Sequence, residues 1–176
     1  INAVKQYLGT HFKFKDLGHL NYFLGIEIAR SKEGIYLHQR KYALNLLASA
    51  GLTAVKPSKI PMDSKQSLTN ETGTLLQDGG SYRRLVGQLI YLTITRPDLT
   101  YPVHILSQFM AKPTNVHWQA ALKLLRYIKH SPGQRLLLSA SSPLMLKVYS
   151  DADWGSCPMT RRSLSGYCVM LGNSLI

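Results

Sequence analysis

The sequence is poor in cysteine and in acidic residues, and it has no long apolar run. Its 176 residues contain only 2 cysteines, Cys157 and Cys168, and they do not form the CxxC spacing of a zinc or redox motif. So few cysteines exclude a disulfide framework, and we expect a reducing compartment. No apolar run of about 18 residues predicts a membrane span. No secretory signal is recognisable either.

The scarcity of acids leaves a strongly basic chain. There are 21 lysines and arginines against 9 aspartates and glutamates, which gives a formal net charge of +12 at pH 7. Such an excess favours polyanionic partners, because each phosphate that a protein cation neutralises releases a counterion. Composition therefore indicates a nucleic-acid partner, and a basic solvated surface without a partner is the alternative. The length accommodates one sizeable domain, or one domain with part of another.

Hydrophobic periodicity predicts a mixed α+β fold. The predicted helices cover residues 2–11, 39–50, 82–95, 99–110 and 116–130, and the predicted strands cover residues 20–28, 35–38, 135–139, 144–151 and 165–172. Tyr22 and Leu24, on the apolar side of the first strand, are expected in the core. Gly25 would either form a bulge or allow another backbone to approach closely. Residues 53–81 are polar and contain several Pro and Gly, so they predict an irregular connector.

Predicted helix ends account for several polar residues in the middle of the chain. Ser81 is the predicted N-cap of the third helix, and Asp98 is the predicted N-cap of the fourth. Arg83 and Arg84 would then lie in a first helical turn, where the helix dipole disfavours cations. A nearby nucleic-acid phosphate would offset that cost. An ion pair with an acid such as Asp78 or Asp98 would offset it equally well, and both interpretations stay open.

The last predicted helix is capped by Asn115 or Thr114, and it carries a basic stripe opposite its apolar face. Helical spacing brings four polar residues of this helix onto one side. These residues are Gln119, Lys123, Arg126 and His130. Such a stripe suits a protein that follows a phosphate backbone, and an ordinary solvated helix face has the same composition.

Two acidic residues lie at the end of the strand predicted at 144–151. Asp151 and Asp153 lie two residues apart, so an extended chain would direct them to the same side. Carboxylates in this arrangement suit a divalent metal ion, which prefers hard oxygen ligands. In the alternative interpretation, Asp151 is a solvated strand-end acid or caps the turn at 152–156. Arg161 and Arg162 follow in a basic turn, where they could contact a nucleic-acid strand or simply be solvated.

Four parts of the chain carry a family resemblance. They are KDLGHLNYFLGIEIARSKEGIYLHQRKYALNLL (15–47), YRRLVGQLIYLTITRPDLTYPVHILSQFM (82–110), HWQAALKLLRYIKHSPG (117–133), and YSDADW with RRSLSGYCVMLGNS (149–154 and 161–174). In order and spacing they resemble the Ty1/copia-type retrotransposon Pol polyprotein, from the C-terminal part of its reverse transcriptase to the start of its ribonuclease H domain. The resemblance implies a palm-end β-hairpin and a helical thumb or connection, followed by the first strands of a ribonuclease H-like sheet.

The resemblance also implies a division of the chain. The implied parts are the end of the palm and start of the thumb (1–52), the irregular connector (53–81), the helical thumb or connection (82–133) and a truncated N-terminal part of a ribonuclease H-like domain (134–176). The hairpin at 20–38 would support the primer terminus. Both ends of the chain are expected to be cut from a longer polypeptide.

For the chemistry, the resemblance makes Asp151 the first metal-binding and catalytic carboxylate of a ribonuclease H site, with Asp153 as a weaker candidate. The later acids of that site have no counterpart here, and the paired aspartates of the polymerase palm are absent as well, since no AspAsp dipeptide occurs. Mg²⁺ is expected for the intact parent protein, and we expect this chain to bind none. The chain alone is expected to be inactive.

The expected partners are an RNA/DNA hybrid or other nucleic acid and the rest of the Pol polyprotein, without a membrane. The parent element would act inside the cell, in a cytoplasmic particle or the nucleus. The basic residues expected to contact nucleic acid are Arg40, Lys41, Arg83, Arg84, Lys123, Arg126, Arg161 and Arg162. The leading hypothesis is a fragment of RNA-directed DNA polymerase and ribonuclease H that contributes duplex binding. A stand-alone nucleic-acid-binding module and a non-functional transposon relic are the alternatives.

Overall fold

Helices and strands are interspersed along the chain in the computed structural model, which describes residues 1–63, 68–155, 157 and 159–176. The helices are α1 (Asn2–His11), α2 (Arg40–Ser49), α3 (Gly79–Leu92), α4 (Thr100–Ser107) and α5 (Asn115–His130), and a 3₁₀ turn covers Pro97–Leu99. The strands are β1 (Tyr22–Phe23), β2 (Ile26–Arg30), β3 (Gly34–His38), β4 (Leu136–Ser139), β5 (Leu146–Ala152), β6 (Ser165–Leu171) and β7 (Ser174–Leu175). The predicted α+β class is confirmed.

One helical core holds α2, α3, α4 and α5 together. Each helix turns an apolar stripe inward, as Leu46 of α2, Val86 of α3 and Leu125 of α5 show, because all three are fully or almost fully buried. Burying one such side chain stabilises the fold by about 1.5–3 kcal/mol. By contrast, α1 buries no residue against the rest of the chain. The four core helices therefore provide the frame on which the remaining elements are placed.

The strands form two antiparallel sheets. The first has the order β1-β2-β3-β4 and the second has the order β5-β6-β7. We expected the strand at 135–139 to begin the C-terminal sheet, and that pairing is wrong, because β4 pairs with β3. Gly34 permits the approach, since a Cβ there would lie 2.0 Å from the carbonyl oxygen of Leu138. The division of the chain at residue 134 stays a prediction.

The single strand predicted at 20–28 is wrong, because the chain turns back in its middle. Leu24 and Gly25 have φ angles of 49° and 80°, which form a tight two-residue turn between β1 and β2. The expected burial of Tyr22 and Leu24 is also wrong, since they are 55% and 70% exposed. The Tyr91 hydroxyl of α3 donates a hydrogen bond to the Leu24 carbonyl and fastens this turn to the helical core.

Helix α3 begins earlier than predicted, and Asp78 rather than Ser81 is its N-cap. The Asp78 carboxylate accepts hydrogen bonds from the backbone N–H groups of Gly80 (2.8 Å) and Ser81 (3.3 Å). The Ser81 hydroxyl, followed by these backbone donors, lowers the pKa of Asp78 below its ordinary value. Arg83 and Arg84 therefore lie beyond the first turn, and the predicted dipole penalty does not apply to them.

The expected N-cap Asp98 has a different role, as the partner of a buried arginine. Arg96 is only 2% exposed and donates to both Asp98 carboxylate oxygens, at 2.9 Å and 2.8 Å. Its third bond goes to the Ser131 carbonyl at 2.9 Å, and the Tyr127 hydroxyl donates to Asp98 at 3.1 Å. Burial raises the pKa of Asp98, but the bonds and charge of Arg96 and the bond from Tyr127 outweigh it and leave the pKa lowered.

A buried histidine closes the start of α5. Thr114 is the N-cap, as one of the two predicted alternatives, and its backbone N–H donates to His117 Nδ1 at 3.0 Å. Nε2 of His117 must then carry the proton that it shares with the Thr69 carbonyl at 3.1 Å. The ring stacks on Phe109 with centroids 3.9 Å apart. Burial lowers the pKa of His117 despite the opposing bond to Thr69, so the neutral ring is favoured.

Replacing the buried Arg96 should lower the stability of the fold more than replacing an exposed arginine. We expect Arg96→Met to lower the free energy of unfolding by about 3–5 kcal/mol, because it leaves the Asp98 charge without its partner. Urea denaturation measures this change. The exposed Arg84→Met control should stay within about 0.5 kcal/mol of the wild type. Equal losses of unfolding free energy in both variants would show that the buried contacts of Arg96 do not stabilise the fold.

The histidine cap should make stability depend on pH. Because the pKa of His117 is lower in the folded chain than its ordinary 6.5, the unfolded chain binds the proton more readily. Its contribution is therefore complete above about pH 6.5 and falls as the pH drops below that value. We expect urea midpoints of His117→Gln, which keeps a side-chain acceptor for the cap, to depend less on pH between about 7 and 5. An unchanged dependence would contradict this role.

Candidate nucleic-acid interface

The two arginines of α3 are exposed on its outer side. Nη1 of Arg83 donates to the Met110 carbonyl at 3.4 Å, and its charge is the smallest of the influences that lower the pKa of Asp78. Arg84 makes no hydrogen bond or ion pair within the described part of the chain. The Asp78 cap thus lies near Arg83. The guanidinium N–H groups of Arg84 are all available to bind another molecule.

The same helix has an exposed glycine that the fold does not require. Gly87 follows Arg83 by one helical turn, and a Cβ built on it would meet nothing within 4 Å among the described residues. A glycine inside a helix costs about 0.5–1 kcal/mol relative to alanine. Since no contact with the described residues explains Gly87, its missing Cβ leaves room for another molecule to approach the helix backbone. The outer face of α3, defined here as Arg83, Arg84 and Gly87, is the open basic surface of the helical core.

The basic stripe of α5 is largely engaged with the connector. Lys123 forms an ion pair with Asp63 at 3.7 Å, and Arg126 donates from Nε to the Lys56 carbonyl at 2.9 Å. The Ser58 N–H bonds back to the Arg126 carbonyl at 3.0 Å. These contacts differ from both predicted interpretations of the stripe, which assumed an open face. A phosphate contact by Lys123 or Arg126 stays a prediction, and it would compete with the connector.

Lys129 attaches the connector to α5, and the sequence analysis did not predict this contact. Its ammonium group bonds the carbonyls of Thr53 (2.6 Å) and Val55 (2.5 Å) and so holds the connector against α5. The sequence carried no signal for this contact, because backbone carbonyls are offered by every residue type. The irregular connector predicted at 53–81 is thus packed along a helix where it is described.

The two cations at the start of α2 lie beside the first sheet. The Lys41 backbone N–H donates to the Glu27 carboxylate of β2 at 2.9 Å, so an acid already occupies this helix end. The stem of Arg40 runs past Gly133, where a Cβ would lie 3.3 Å from the Arg40 side chain. Both side chains are exposed, but the occupied helix end offers less to a phosphate than the surface of α3.

Asp151 is exposed at the end of β5, and its carboxylate accepts the Ala152 N–H at 3.0 Å. Asp153 bonds the Leu164 N–H at 2.5 Å and closes the base of the following loop. No three His, Cys, Asp or Glu side chains of the described residues converge as metal ligands would. The donor set found in these residues does not fit a metal centre, so the catalytic assignment of Asp151 stays a prediction.

Arg161 and Arg162 belong to the loop between β5 and β6. The Arg161 N–H bonds the Cys157 carbonyl at 2.9 Å, and Arg161 has a φ of 55°, in the left-handed region. Both arginines are exposed, and the loop that carries them joins two strands of the second sheet. Residues 156 and 158 of this loop lie outside the described residues.

Comparison with known proteins assigns the family. The profile of reverse transcriptase (RNA-dependent DNA polymerase) matches residues 1–64. The retrovirus-related Pol polyprotein from transposon RE2 of Arabidopsis thaliana is 43% identical over 166 residues, which is 94% of this chain and 11% of that polyprotein. The chain belongs to the Ty1/copia-type retrotransposon Pol family.

Other relatives of this Pol-family chain include shorter proteins. An uncharacterized mitochondrial protein of Arabidopsis thaliana is 38% identical over 176 residues and is covered to 73% of its length. A transposon Ty5-1 protein of Saccharomyces cerevisiae is 33% identical over 175 residues and is covered to 57%. No solved structure matches the chain. In the described part of the chain, every helix is too short or too polar to cross a membrane.

The open glycine of the Pol-family chain gives a direct stability test. We expect Gly87→Ala to raise the free energy of unfolding by about 0.5–1 kcal/mol, because alanine is the better helix former and meets open space. Urea denaturation measures the gain. The control Gly51→Ala should lose stability, since Gly51 has a φ of 68° that disfavours any Cβ. A destabilised Gly87→Ala variant would show that the fold itself needs this glycine.

Proposed function

We propose that this chain contributes sequence-independent binding of an RNA/DNA duplex to a retrotransposon reverse transcriptase. The observation that carries the proposal is the outer face of α3, where two adjacent exposed arginines lie beside a glycine with open space above it. Arginine forks match phosphate oxygens, and a missing Cβ lets a sugar-phosphate backbone come close. Backbone contacts of this kind position a duplex without specifying its sequence.

The net charge of the chain supports the same partner. A formal charge of +12 attracts a polyanion from a distance and makes binding sensitive to salt. The arginines of α3 stand on the rigid helical core, because Leu85 and Val86, the next two residues of the helix, are almost fully buried. A rigid mount keeps their guanidinium groups in place and reduces the entropy lost on binding.

The ribonuclease H part of the family function rests on Asp151 alone. We infer that in a longer Pol polyprotein this carboxylate would help to hold Mg²⁺, with the other ligands supplied by residues outside this chain. Such an ion would supply the Lewis acid for phosphodiester hydrolysis. Within this chain, Asp151 presents an exposed carboxylate at a strand end. Among the described residues, no other His, Cys, Asp or Glu side chains gather with it into a metal-binding cluster.

Fluorescence anisotropy with a labelled RNA/DNA hybrid at several salt concentrations tests the proposal. We expect the Arg83→Gln, Arg84→Gln double variant to bind about 10- to 100-fold more weakly, with a log–log salt slope smaller by about 2, because two phosphate contacts are lost. Hybrids of unrelated sequence should bind equally well.

Matched variants separate this surface from general charge. Lys15→Gln, Lys32→Gln removes the same charge from exposed positions outside the core helices, and it should change the affinity less than about threefold. Gly87→Ala should bind more weakly although it folds more stably. If the Lys15/Lys32 control loses as much affinity as the arginine variant, α3 is not the interface.

A further inference from the structure

The first part of the connector is held against α5 by its backbone. We call this part, residues 53–61, the strap. Lys129 donates to two strap carbonyls through its ammonium group, and Nε of Arg126 donates to the Lys56 carbonyl at 2.9 Å. The Ser58 N–H donates back to the Arg126 carbonyl at 3.0 Å. Cations of α5 thus bind strap carbonyls, and they fix the course of the strap along the helix.

Two prolines stiffen the strap. Pro57 and Pro61 have φ fixed at about −65°, and each favours an extended conformation for the residue before it. The Ser58 hydroxyl also donates to the Ile60 carbonyl at 2.8 Å. A segment held in this way loses little conformational entropy when another molecule binds to it.

Both lysines of the strap are exposed. Neither the Lys56 nor the Lys59 side chain makes a hydrogen bond or ion pair within the described part of the chain. The backbone at both positions is nevertheless fixed, because Arg126 binds the Lys56 carbonyl and the Ser58 hydroxyl bridges to Ile60 across Lys59. Each lysine therefore presents a free ammonium group from a fixed point of the surface.

The strap and α5 together concentrate positive charge. Residues 50–63 and 115–130, which the structure describes in full, contain a single acid, Asp63, and five lysines and arginines. The five cations are Lys56, Lys59, Lys123, Arg126 and Lys129. Asp63 lies 3.7 Å from the ammonium group of Lys123, so it offsets one charge only. Like charges held on one surface repel one another, and a bound polyanion would relieve that repulsion.

We propose that the strap is a second contact surface for a nucleic-acid backbone, in which Lys56 and Lys59 bind phosphates and Lys129 is a positioning residue. A strand with regularly spaced phosphates meets several of these cations at once, and each neutralised phosphate releases a counterion. The strap would add affinity without reading sequence. The identity of the partner rests on the proposed function, but the surface is separate from the outer face of α3.

Fluorescence anisotropy of the full chain with the labelled RNA/DNA hybrid gives the first test. We expect Lys56→Gln, Lys59→Gln to bind about tenfold more weakly, with a log–log salt slope smaller by about 2. Lys56→Arg, Lys59→Arg keeps both charges and should stay within about threefold of the wild type. The Lys15→Gln, Lys32→Gln control removes the same charge elsewhere, and a loss equal to that of the strap variant would overturn the proposal.

The variant Lys129→Met tests the positioning role. It removes two bonds to the strap and leaves Lys56 and Lys59 in place, so the Ser58 amide should exchange faster with solvent while helical circular dichroism is unchanged. In this background, Lys56→Gln, Lys59→Gln should cost clearly less affinity than in the wild type, because the lysines have lost their fixed mount. Full additivity of the two affinity losses would overturn the role of Lys129.

Separate variants distinguish a failure of the strap from a failure of the proposed function. If the strap variant binds the hybrid as the wild type does and the Arg83→Gln, Arg84→Gln variant is weakened, the strap proposal is wrong and the proposed function stands. The reverse result supports the strap and excludes α3 as the interface. A strap variant that loses affinity for polyglutamate but not for the hybrid would assign the strap to an acidic protein, and it would overturn the phosphate contact.

Discussion

The buried guanidinium of Arg96 is the interaction on which the helical core most depends. It joins the 3₁₀ turn after α3 to the C-terminal end of α5 through Asp98 and the Ser131 carbonyl. Its plane lies over the ring of Tyr127, with 5.8 Å between Arg96 Cζ and the ring centroid. An arginine in such a site cannot be left unpaired, because a buried charge without partners costs several kcal/mol. The 3₁₀ turn and the C-terminal end of α5 are thereby held together around one charged group.

From this core outward, the elements are held by progressively fewer contacts. The connector is attached to α5 through Lys129 and Arg126, and the β1–β2 turn is attached to α3 through Tyr91. The second sheet has an exposed edge, and α1 buries nothing. The basic surface that we propose as the duplex contact lies on one of the core helices, where buried neighbours hold the backbone of its arginines in place.

Local patterns predicted most of the helices because each pattern is read within one element. The bounds of α2 and α5 lie within a residue of prediction, and α5 begins at the predicted cap Thr114. The errors arose where non-local or turn chemistry decides. A turn at Leu24 and Gly25 breaks a period-two pattern that looks continuous, and β4 pairs with a strand about a hundred residues earlier in the chain. Sequence periodicity cannot reveal that partner, since any apolar strand edge would satisfy it.

The candidate site was predicted in the same partial way. Arg83 and Arg84 were predicted as nucleic-acid contacts partly because of a dipole penalty, and the earlier start of α3 removes that penalty. The stripe of α5 has the predicted spacing, and only the folded chain shows that the connector covers it. Gly87 was not singled out, because a glycine becomes informative only once the space above it is known.

Hydrogen exchange of the chain with and without an RNA/DNA hybrid tests the central claim most directly. That claim is that a rigid helical core presents the outer face of α3 to a duplex. The account predicts that buried amides of α3 and α5 exchange slowest in the free chain, and that the hybrid adds protection around Arg83 to Gly87. Protection confined to the connector or the second sheet, with α3 unchanged, would contradict it.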